Sequence, residues 1–331
     1  MSITVCVSHK EDVDGISSAI LINSVFKNVN IILVDYAHLI NQLTKLLSSL
    51  QPVNKGYNRI FICDLGLNKK NQKKFIHILN KIIQLGYKIY YIDHHDIDSS
   101  IKKEIKDVGV HFMHSIEECT SVQVFNKYKH KLHPSYSFFA ASGALTDYME
   151  NKPIASSIVS RYDRQFLMLE STAFSYMISS HQNDDDYLRY LVEKLSIVKY
   201  PHDIEGGFIA AEKYAKKISF AIDSIEKNII YKSNLSMVQN TLNLASSTVV
   251  NFVLGMSGKK VAIVYKYKED KGLYIISIRG SRDCEIHLGR LVNDIASTHG
   301  GSGGGHDKAC GAVIPRNKFS AFINYLDEHI K

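Results

Sequence analysis

Lys88-Ile89-Tyr90-Tyr91-Ile92-Asp93-His94-His95-Asp96 is the stretch whose reading decides the fold. A short apolar run, of a length that suits a buried strand, stops abruptly against two carboxylates and two imidazoles. Such groups are costly to bury without partners. In an open α/β sheet, ligands bind beyond the carboxyl ends of the strands, which is where this strand delivers its four polar side chains. Taken alone, a His-His pair reads equally well as a surface loop, so its meaning depends on the neighbouring elements.

Upstream, Ile3-Thr4-Val5-Cys6-Val7 is a β-rich run that leads into Ser8-His9-Lys10-Glu11-Asp12-Val13-Asp14-Gly15, with an apolar helix beginning at Ile16. Asp12 and Asp14 are therefore expected in a strand-to-helix turn, beside a helix N-terminus that favours anions. A calcium loop of the EF-hand kind is disfavoured, because Ile-Ser-Ser-Ala continues the stretch where further oxygen ligands are needed. Residues 30–35 and 59–63 are further strand candidates. The second of them ends in Asp64-Leu65-Gly66, while Asp35 after the first reads as a helix cap. Helical spacing runs over 39–50 and 71–85, the latter closed by Gly86. A polar helix and a fifth strand, Val110-His111-Phe112-Met113, complete the pattern. Strands alternating with helices imply a parallel sheet covered on both faces. The first, third and fourth strands then end on one edge, so His9, Asp12, Asp14, Asp64, His94 and His95 are expected to converge. Carboxylates gathered in this way repel one another unless cations neutralise them.

Downstream, residues 118–129 and 136–148 return to helical spacing. Ala140-Ala141-Ser142-Gly143-Ala144-Leu145-Thr146-Asp147-Tyr148 is rich in small residues that permit close backbone approach; its Asp147, read alone, is a solvated helix residue. Residues 154–195 read as wholly helical, with Asp184-Asp185-Asp186 as a solvated helix start, and 207–228 read as an amphipathic connector. A second α/β region follows. It has a strand at Ser236-Met237-Val238, a helix over 248–254, strands over 260–267 and 273–279 joined by the turn Asp270-Lys271-Gly272, a helix over 288–298 and a strand at Ala312-Val313-Ile314. The glycine-rich stretch 300–311, which carries His306, lies between a helix and a strand. It reads as a loop whose amides cradle a phosphate rather than as a linker.

The chain has 331 residues, 45% hydrophobic and 22% charged, the profile of a soluble globular protein large enough for two domains. No apolar run suits a bilayer span, and the first residues turn polar too early for a secretory signal, so a cytoplasmic location and no membrane partner are expected. The five cysteines are scattered and never form a CxxC pair, which argues against a disulfide framework and a cysteine-zinc site. A net charge of +7 fits an anionic partner such as a nucleotide or nucleic acid without requiring one.

Five of these motifs, in order, resemble the DHH phosphoesterase superfamily, which includes RecJ-type exonucleases, nanoRNases, phosphatases of 3'-phosphoadenosine 5'-phosphate, cyclic-dinucleotide phosphodiesterases and family II inorganic pyrophosphatases. They are Asp12-x-Asp14-Gly15, Asp64-Leu65-Gly66, Asp93-His94-His95, Gly143-Ala144-Leu145-Thr146-Asp147-Tyr148, and Gly303-Gly304-Gly305-His306-x-x-Ala309-x-Gly311. The last is similar to the DHH-associated C-terminal domain and points away from the pyrophosphatases. The resemblance implies an N-terminal catalytic domain over 1–187 built on a parallel sheet, a helical connector over 188–232, and a smaller substrate-binding α/β domain with a mixed sheet over 233–331. It also implies one divalent cation on His9, Asp12 and Asp64 and a second on Asp14, Asp64, His94 and Asp147. Asp93 would orient a histidine, and His95 would stabilise charge or donate a proton at the scissile phosphate. Arg279 and His306 would grip substrate phosphate, with Gly304 and Gly305 giving it backbone room, and the active site would lie in the cleft between domains.

Carboxylate and imidazole ligands without thiolate suit manganese, with magnesium or cobalt as substitutes. Two such ions about 3.5–4 Å apart support hydrolysis of phosphate esters by activated water. The expected function is hydrolysis of short oligonucleotides to nucleoside monophosphates. The alternatives are a phosphatase of 3'-phosphoadenosine 5'-phosphate or a cyclic-dinucleotide phosphodiesterase, and, ranked lower, a non-catalytic nucleic-acid-binding scaffold of replication or repair. A homodimer is compatible with the sequence.

Overall fold

A computed structural model of the chain describes residues 3–53, 58–67, 69–242 and 244–330. The chain divides into two compact units, Met1–Tyr214 and Ala215–Lys331. The first unit begins with β1 (Thr4–His9), α1 (Val13–Val25), β2 (Val29–Val34), α2 (Leu39–Ser49) and β3 (Arg59–Cys63). It continues through α3 (Gln72–Gln84), β4 (Lys88–Asp93), α4 (Ser99–Asp107) and β5 (His111–His114). Helices α5 (Thr120–Tyr128), α6 (Ser137–Thr146), α7 (Pro153–Val159), α8 (Arg164–Ser180) and α9 (Asp185–Leu195) follow, and the division between units falls inside α10 (Gly207–Asn228).

The five strands form one sheet in the order β2-β1-β3-β4-β5, and every pairing is parallel. Helices on both faces are what such a sheet needs, since each strand has two faces to bury. On one face, Leu39, Ile40, Leu43 and Leu46 of α2 pack with Phe75, Ile78, Leu79 and Ile82 of α3 and with Ile101 and Ile105 of α4. Their spacing of three and four residues sets one apolar stripe per helix against the sheet. The other face holds α1, α5, α6, α8 and α9. Helix α1 is buried at every position from Val13 to Ile22, because it lies between the sheet and a second layer of helices. The strand order reverses between β1 and β3, which makes the carboxyl edge beside these two strands the place where a crevice opens.

Helix α1 begins three residues earlier than the spacing of apolar residues suggests, at Val13, since the Asp12 carboxylate caps it by accepting from the Gly15 N–H at 2.9 Å. Asp14 therefore sits in the first helical turn. The region 154–195 is not one helix but three. Breaks fall at Ser160–Asp163 and His181–Asp184, where Asp163 caps α8 through the Phe166 N–H and Asp184 caps α9 through the Tyr187 N–H. Asp35 is not the helix cap its position suggests: it accepts from the His38 N–H at 2.9 Å within the turn before α2, and His38 is the N-cap residue.

The second unit continues from α10 through β6 (Ile230–Tyr231), β7 (Leu235–Gln239), α11 (Ser246–Ser257), β8 (Val261–Lys268) and β9 (Leu273–Gly280). It ends with α12 (Leu288–Thr298), β10 (Ser302–Gly305), β11 (Ala309–Pro315) and α13 (Phe319–His329). The sheet is mixed, in the order β10-β11-β9-β8-β7-β6, with only β7 and β8 parallel. The glycine-rich stretch corrects the expectation of a loop: Ser302–Gly305 is an edge strand paired antiparallel with β11. Glycine is needed there for packing. A Cβ on Gly303 would lie 2.9 Å from the Val292 side chain and 3.2 Å from that of Ala296, both on α12. Among the described residues no helix is long and apolar enough to cross a membrane.

Candidate metal centre

The carboxyl edge of the parallel sheet gathers all eight candidate residues of the first unit. His9 is the last residue of β1, Asp64 follows β3, Asp93 ends β4 and is followed by His94 and His95, and Asp147 caps the C-terminus of α6. The His94 Nε2 atom is the hub. It lies 3.2 Å from Asp64 Oδ1, 3.4 Å from Asp147 Oδ2 and 3.9 Å from Asp14 Oδ2. His9 Nε2 lies 3.3 Å from Asp12 Oδ2. Two sets, Asp14-Asp64-His94 and Asp64-Asp93-His95, each place three ligand atoms within 4.8 Å of one another.

Asp64 is common to both sets and is held at some cost. It is almost fully buried, and its φ of +57° is in the left-handed region, where an L residue is disfavoured by about 1–2 kcal/mol. Its Oδ1 accepts from the Thr120 hydroxyl at 3.3 Å, while its buried Oδ2 has no hydrogen-bond partner. Burial, and after it the charges of Asp12 and Asp14, hold its carboxyl well above the usual carboxylate range. Asp147 is raised in the same way, by burial and then by Asp14. Strained backbone and an unsatisfied buried oxygen at one residue are the marks of a functional position. The donor set fits divalent cations: oxygen and imidazole atoms converge, negative charge is in excess, and the orphaned oxygen of Asp64 has ligand capacity left over.

His95 is oriented from both ends of its ring. Its Nδ1 lies 2.9 Å from Asp93 Oδ1, and its Nε2 lies 3.0 Å from the Tyr36 hydroxyl. Burial raises the Asp93 carboxyl, but the His95 imidazole overcomes this and leaves it below its ordinary value. Burial likewise works against the charged form of His95, and Asp93 outweighs it, so the imidazole stays protonated to a higher pH than a free histidine. Behind them, Tyr91 donates its hydroxyl to the Leu65 carbonyl at 2.8 Å, and the Gln123 amide donates to the Asp93 carbonyl at 3.1 Å. Gly66 leaves room for this histidine, since a Cβ there would come within 2.8 Å of the His95 ring.

Asp14 has a second task. Its two oxygens accept from the backbone N–H groups of Thr120 and Ser121, each at 2.8 Å, and from the Ser121 hydroxyl. These are the first residues of α5, so Asp14 caps that helix from another part of the chain and complements its dipole. Oδ1 takes both Ser121 donors and Oδ2 only the Thr120 N–H, so the lone pair left for a cation is on Oδ2, the oxygen 3.9 Å from His94 Nε2. Gly143 of α6 backs this arrangement; a Cβ there would collide with the Ser121 hydroxyl and lie 2.7 Å from Asp14 Oδ1.

Reading the sequence missed Tyr36, Thr120 and Ser121. Tyr36 also stacks on His9, with ring centroids 4.1 Å apart. Its position just beyond β2, on the same carboxyl edge as the ligands, was the available signal. Thr120 and Ser121 left only the weak mark of hydroxyl residues at a helix start.

Three candidates of the second unit lie on the two strands that flank β11, and the fourth lies in the turn that leads into it. Arg279 near the end of β9 is in register with Ala309 of β11, and Gly304 and Gly305 of β10 are in register with Gly311 and Cys310. The turn between β10 and β11 holds His306, whose N–H donates to the Ala309 carbonyl at 2.8 Å.

Two family models match the chain: the DHH family N-terminal domain over residues 2–149 and the DHHA1 domain over residues 227–331. The chain belongs to the DHH superfamily of metal-dependent phosphoesterases. Solved structures share its fold at low identity. The pGpG-specific phosphodiesterase PggH from Vibrio cholerae has a TM-score of 0.58 at 11% identity, covering 98% of each chain. The DHH domain of a member of the s1p family of ribosomal proteins has a TM-score of 0.68 at 12% identity, covering all of this chain and 87% of its own. CDC45 from Entamoeba histolytica has a TM-score of 0.57 at 10% identity, covering 99% of this chain and 95% of its own. No curated protein sequence matches the chain.

Proposed function

We propose that the protein is a manganese-dependent phosphodiesterase that hydrolyses short oligonucleotides to nucleoside monophosphates. The observation that carries this reading is Asp64: a buried, strained carboxylate with an unpartnered oxygen, set between His94 and the Asp12 and Asp14 charges. Without a cation this placement costs stability, because a buried charge needs an opposite charge beside it. His9, Asp12 and Asp64 would hold one divalent cation, and Asp14, Asp64, His94 and Asp147 a second. When bound, such ions polarise phosphoryl oxygens and supply a water nucleophile at neutral pH. The protein's own groups fix the geometry. Asp93 keeps the His95 ring oriented and its charged form favoured, so that His95 can balance negative charge at the scissile phosphate or give a proton to the leaving oxygen. Arg279 and His306 would bind a substrate phosphate, with Gly304 and Gly305 leaving its approach unobstructed.

A second reading keeps the chemistry and changes the substrate to a cyclic dinucleotide or to 3'-phosphoadenosine 5'-phosphate. The fold shared with a pGpG-specific phosphodiesterase along 98% of both chains favours including dinucleotides in the comparison. The test is hydrolysis with manganese of pGpG, a five-nucleotide RNA, a longer single-stranded DNA, 3'-phosphoadenosine 5'-phosphate and a cyclic dinucleotide, for the unmodified protein and Asp64→Asn. Release of mononucleotides from the short RNA is expected, with a loss of at least about a hundredfold in the variant, since even groups behind metal ligands contribute 10- to 100-fold. Asp64→Asn is also expected to weaken manganese binding measured directly. Turnover of only the bisphosphate or cyclic substrate would replace the first reading with the second; turnover of none would remove both.

A further inference from the structure

Helix α6 ends with a tyrosine at the backbone position that most often belongs to glycine. The Met149 N–H donates to the Ala144 carbonyl at 2.8 Å and the Tyr148 N–H to that of Leu145 at 3.3 Å, the paired bonds of a Schellman ending. The residue between, Tyr148, has φ of +58°. Glycine is common there because a Cβ is disfavoured in the left-handed region, and a bulky aromatic is a true outlier. Core packing does not account for it, since Tyr148 is 66% exposed. It directly follows Asp147, whose carboxylate lies 3.4 Å from the His94 imidazole. Thus a large aromatic surface is kept in water, on an unfavourable backbone, one residue from the metal centre.

We propose that Tyr148 is a nucleobase platform, whose ring stacks on the base attached to the phosphate bound at the Asp147 edge. The inference deepens the function proposed above and rests on it for the location of that phosphate. It narrows the substrate class to molecules that carry a base next to the scissile phosphate. An aromatic face serves every base, so the platform would demand a base without choosing among them.

The test compares binding of guanosine 5'-monophosphate and ribose 5-phosphate, which differ by the base, to the manganese-loaded full chain by titration calorimetry. Tyr148→Gly and Tyr148→Phe are measured beside the unmodified protein. The unmodified protein should bind the nucleotide about tenfold more tightly than the sugar phosphate, the low side of what one base–aromatic contact contributes. Tyr148→Gly should lose that preference and Tyr148→Phe retain it, while Tyr148→Gly unfolds at an equal or higher temperature because the backbone strain is gone. With a dinucleotide substrate, the Tyr148→Gly loss should fall on KM rather than kcat. A Tyr148→Gly protein that keeps the preference for the nucleotide overturns the platform, as does an unmodified protein that binds the two probes equally or binds neither. A preference that depends on Tyr148 in a protein that hydrolyses no substrate would uphold the platform and overturn the hydrolytic reading.

Discussion

At Gly143 the space for one methyl group is already taken by the Ser121 hydroxyl and the Asp14 carboxylate. Neither neighbour can yield easily, because Asp14 is buried and tied to the start of α5 by three donors. Gly143→Ala is therefore expected to destabilise the protein by about 1–3 kcal/mol, the usual range for overpacking a core, and to weaken manganese binding by displacing Asp14. Gly255 provides a contrast of opposite sign. It lies inside α11 with nothing within 4 Å of a Cβ, so Gly255→Ala should stabilise by up to about 1 kcal/mol through helix propensity alone. Urea unfolding of the two variants checks both; equal midpoints would show that the crowding at Gly143 carries no energy. The importance of this glycine was legible in the small-residue run ending at Asp147, but its partners were not. Ser121 and Asp14 are more than a hundred residues apart in the chain.

At the scale of elements, the centre depends on how helices begin and end. Helix α7 starts just after the turn that holds Asp147, and its first amides are capped by a buried side chain from elsewhere: Glu118 accepts from the N–H groups of Ile154 and of Ala155, the latter at 3.0 Å. Glu118→Ala would strand these donors away from water and should cost about 1–3 kcal/mol. Glu118→Gln, which keeps one acceptor, should cost less. Matched denaturation curves test the ranking, and an alanine variant as stable as the glutamine variant would exclude the cap as a source of stability. The alternation of strands and helices up to residue 114 was readable, because apolar period and length are local properties. The break before α8 was not, since Asp163 looks like an ordinary surface residue until its side chain is seen at the helix start, whereas Asp184-Asp185-Asp186 reads as a helix start and is one. Likewise the glycines of β10 suggested a loop by composition, and only the closeness of α12 explains their place in a strand.

For the whole molecule, the concentration of charge at one sheet edge ties stability to metal and pH. Asp64 and Asp147 have carboxyls raised by burial and by neighbouring carboxylates. A carboxyl raised on folding favours the folded state below its unfolded pKa, and that advantage is lost as pH climbs through the folded value. His94 and His95 act in the same direction: despite burial, Asp147 beside the one and Asp93 beside the other raise both imidazoles, and their contribution also fades as pH rises. Asp93, which is lowered, has completed its titration below this range. The metal-free protein should therefore lose stability as pH rises above the ordinary carboxylate value and on through that of histidine, whereas cations would relieve the repulsion and compete with protons. Thermal unfolding with manganese and with a chelator should show a metal-induced rise in Tm that grows with pH. A rise that is constant across the range, or absent, would count against a metal centre built on these carboxylates.

What the sequence determined by itself is the set of strands in the first unit, their parallel pairing and the identity of the groups at their carboxyl ends. Those follow from local features: short apolar runs, helical spacing between them, and an abrupt switch to Asp and His where each run stops. The tertiary structure decided which groups meet. The order β2-β1-β3-β4-β5 brings Tyr36 from beyond β2 onto His9 and His95. The packing of α5 and α6 against α1 presents Thr120, Ser121 and Gly143 to Asp14. Strand order and helix packing are set by contacts between residues far apart in the chain, and no local pattern records them.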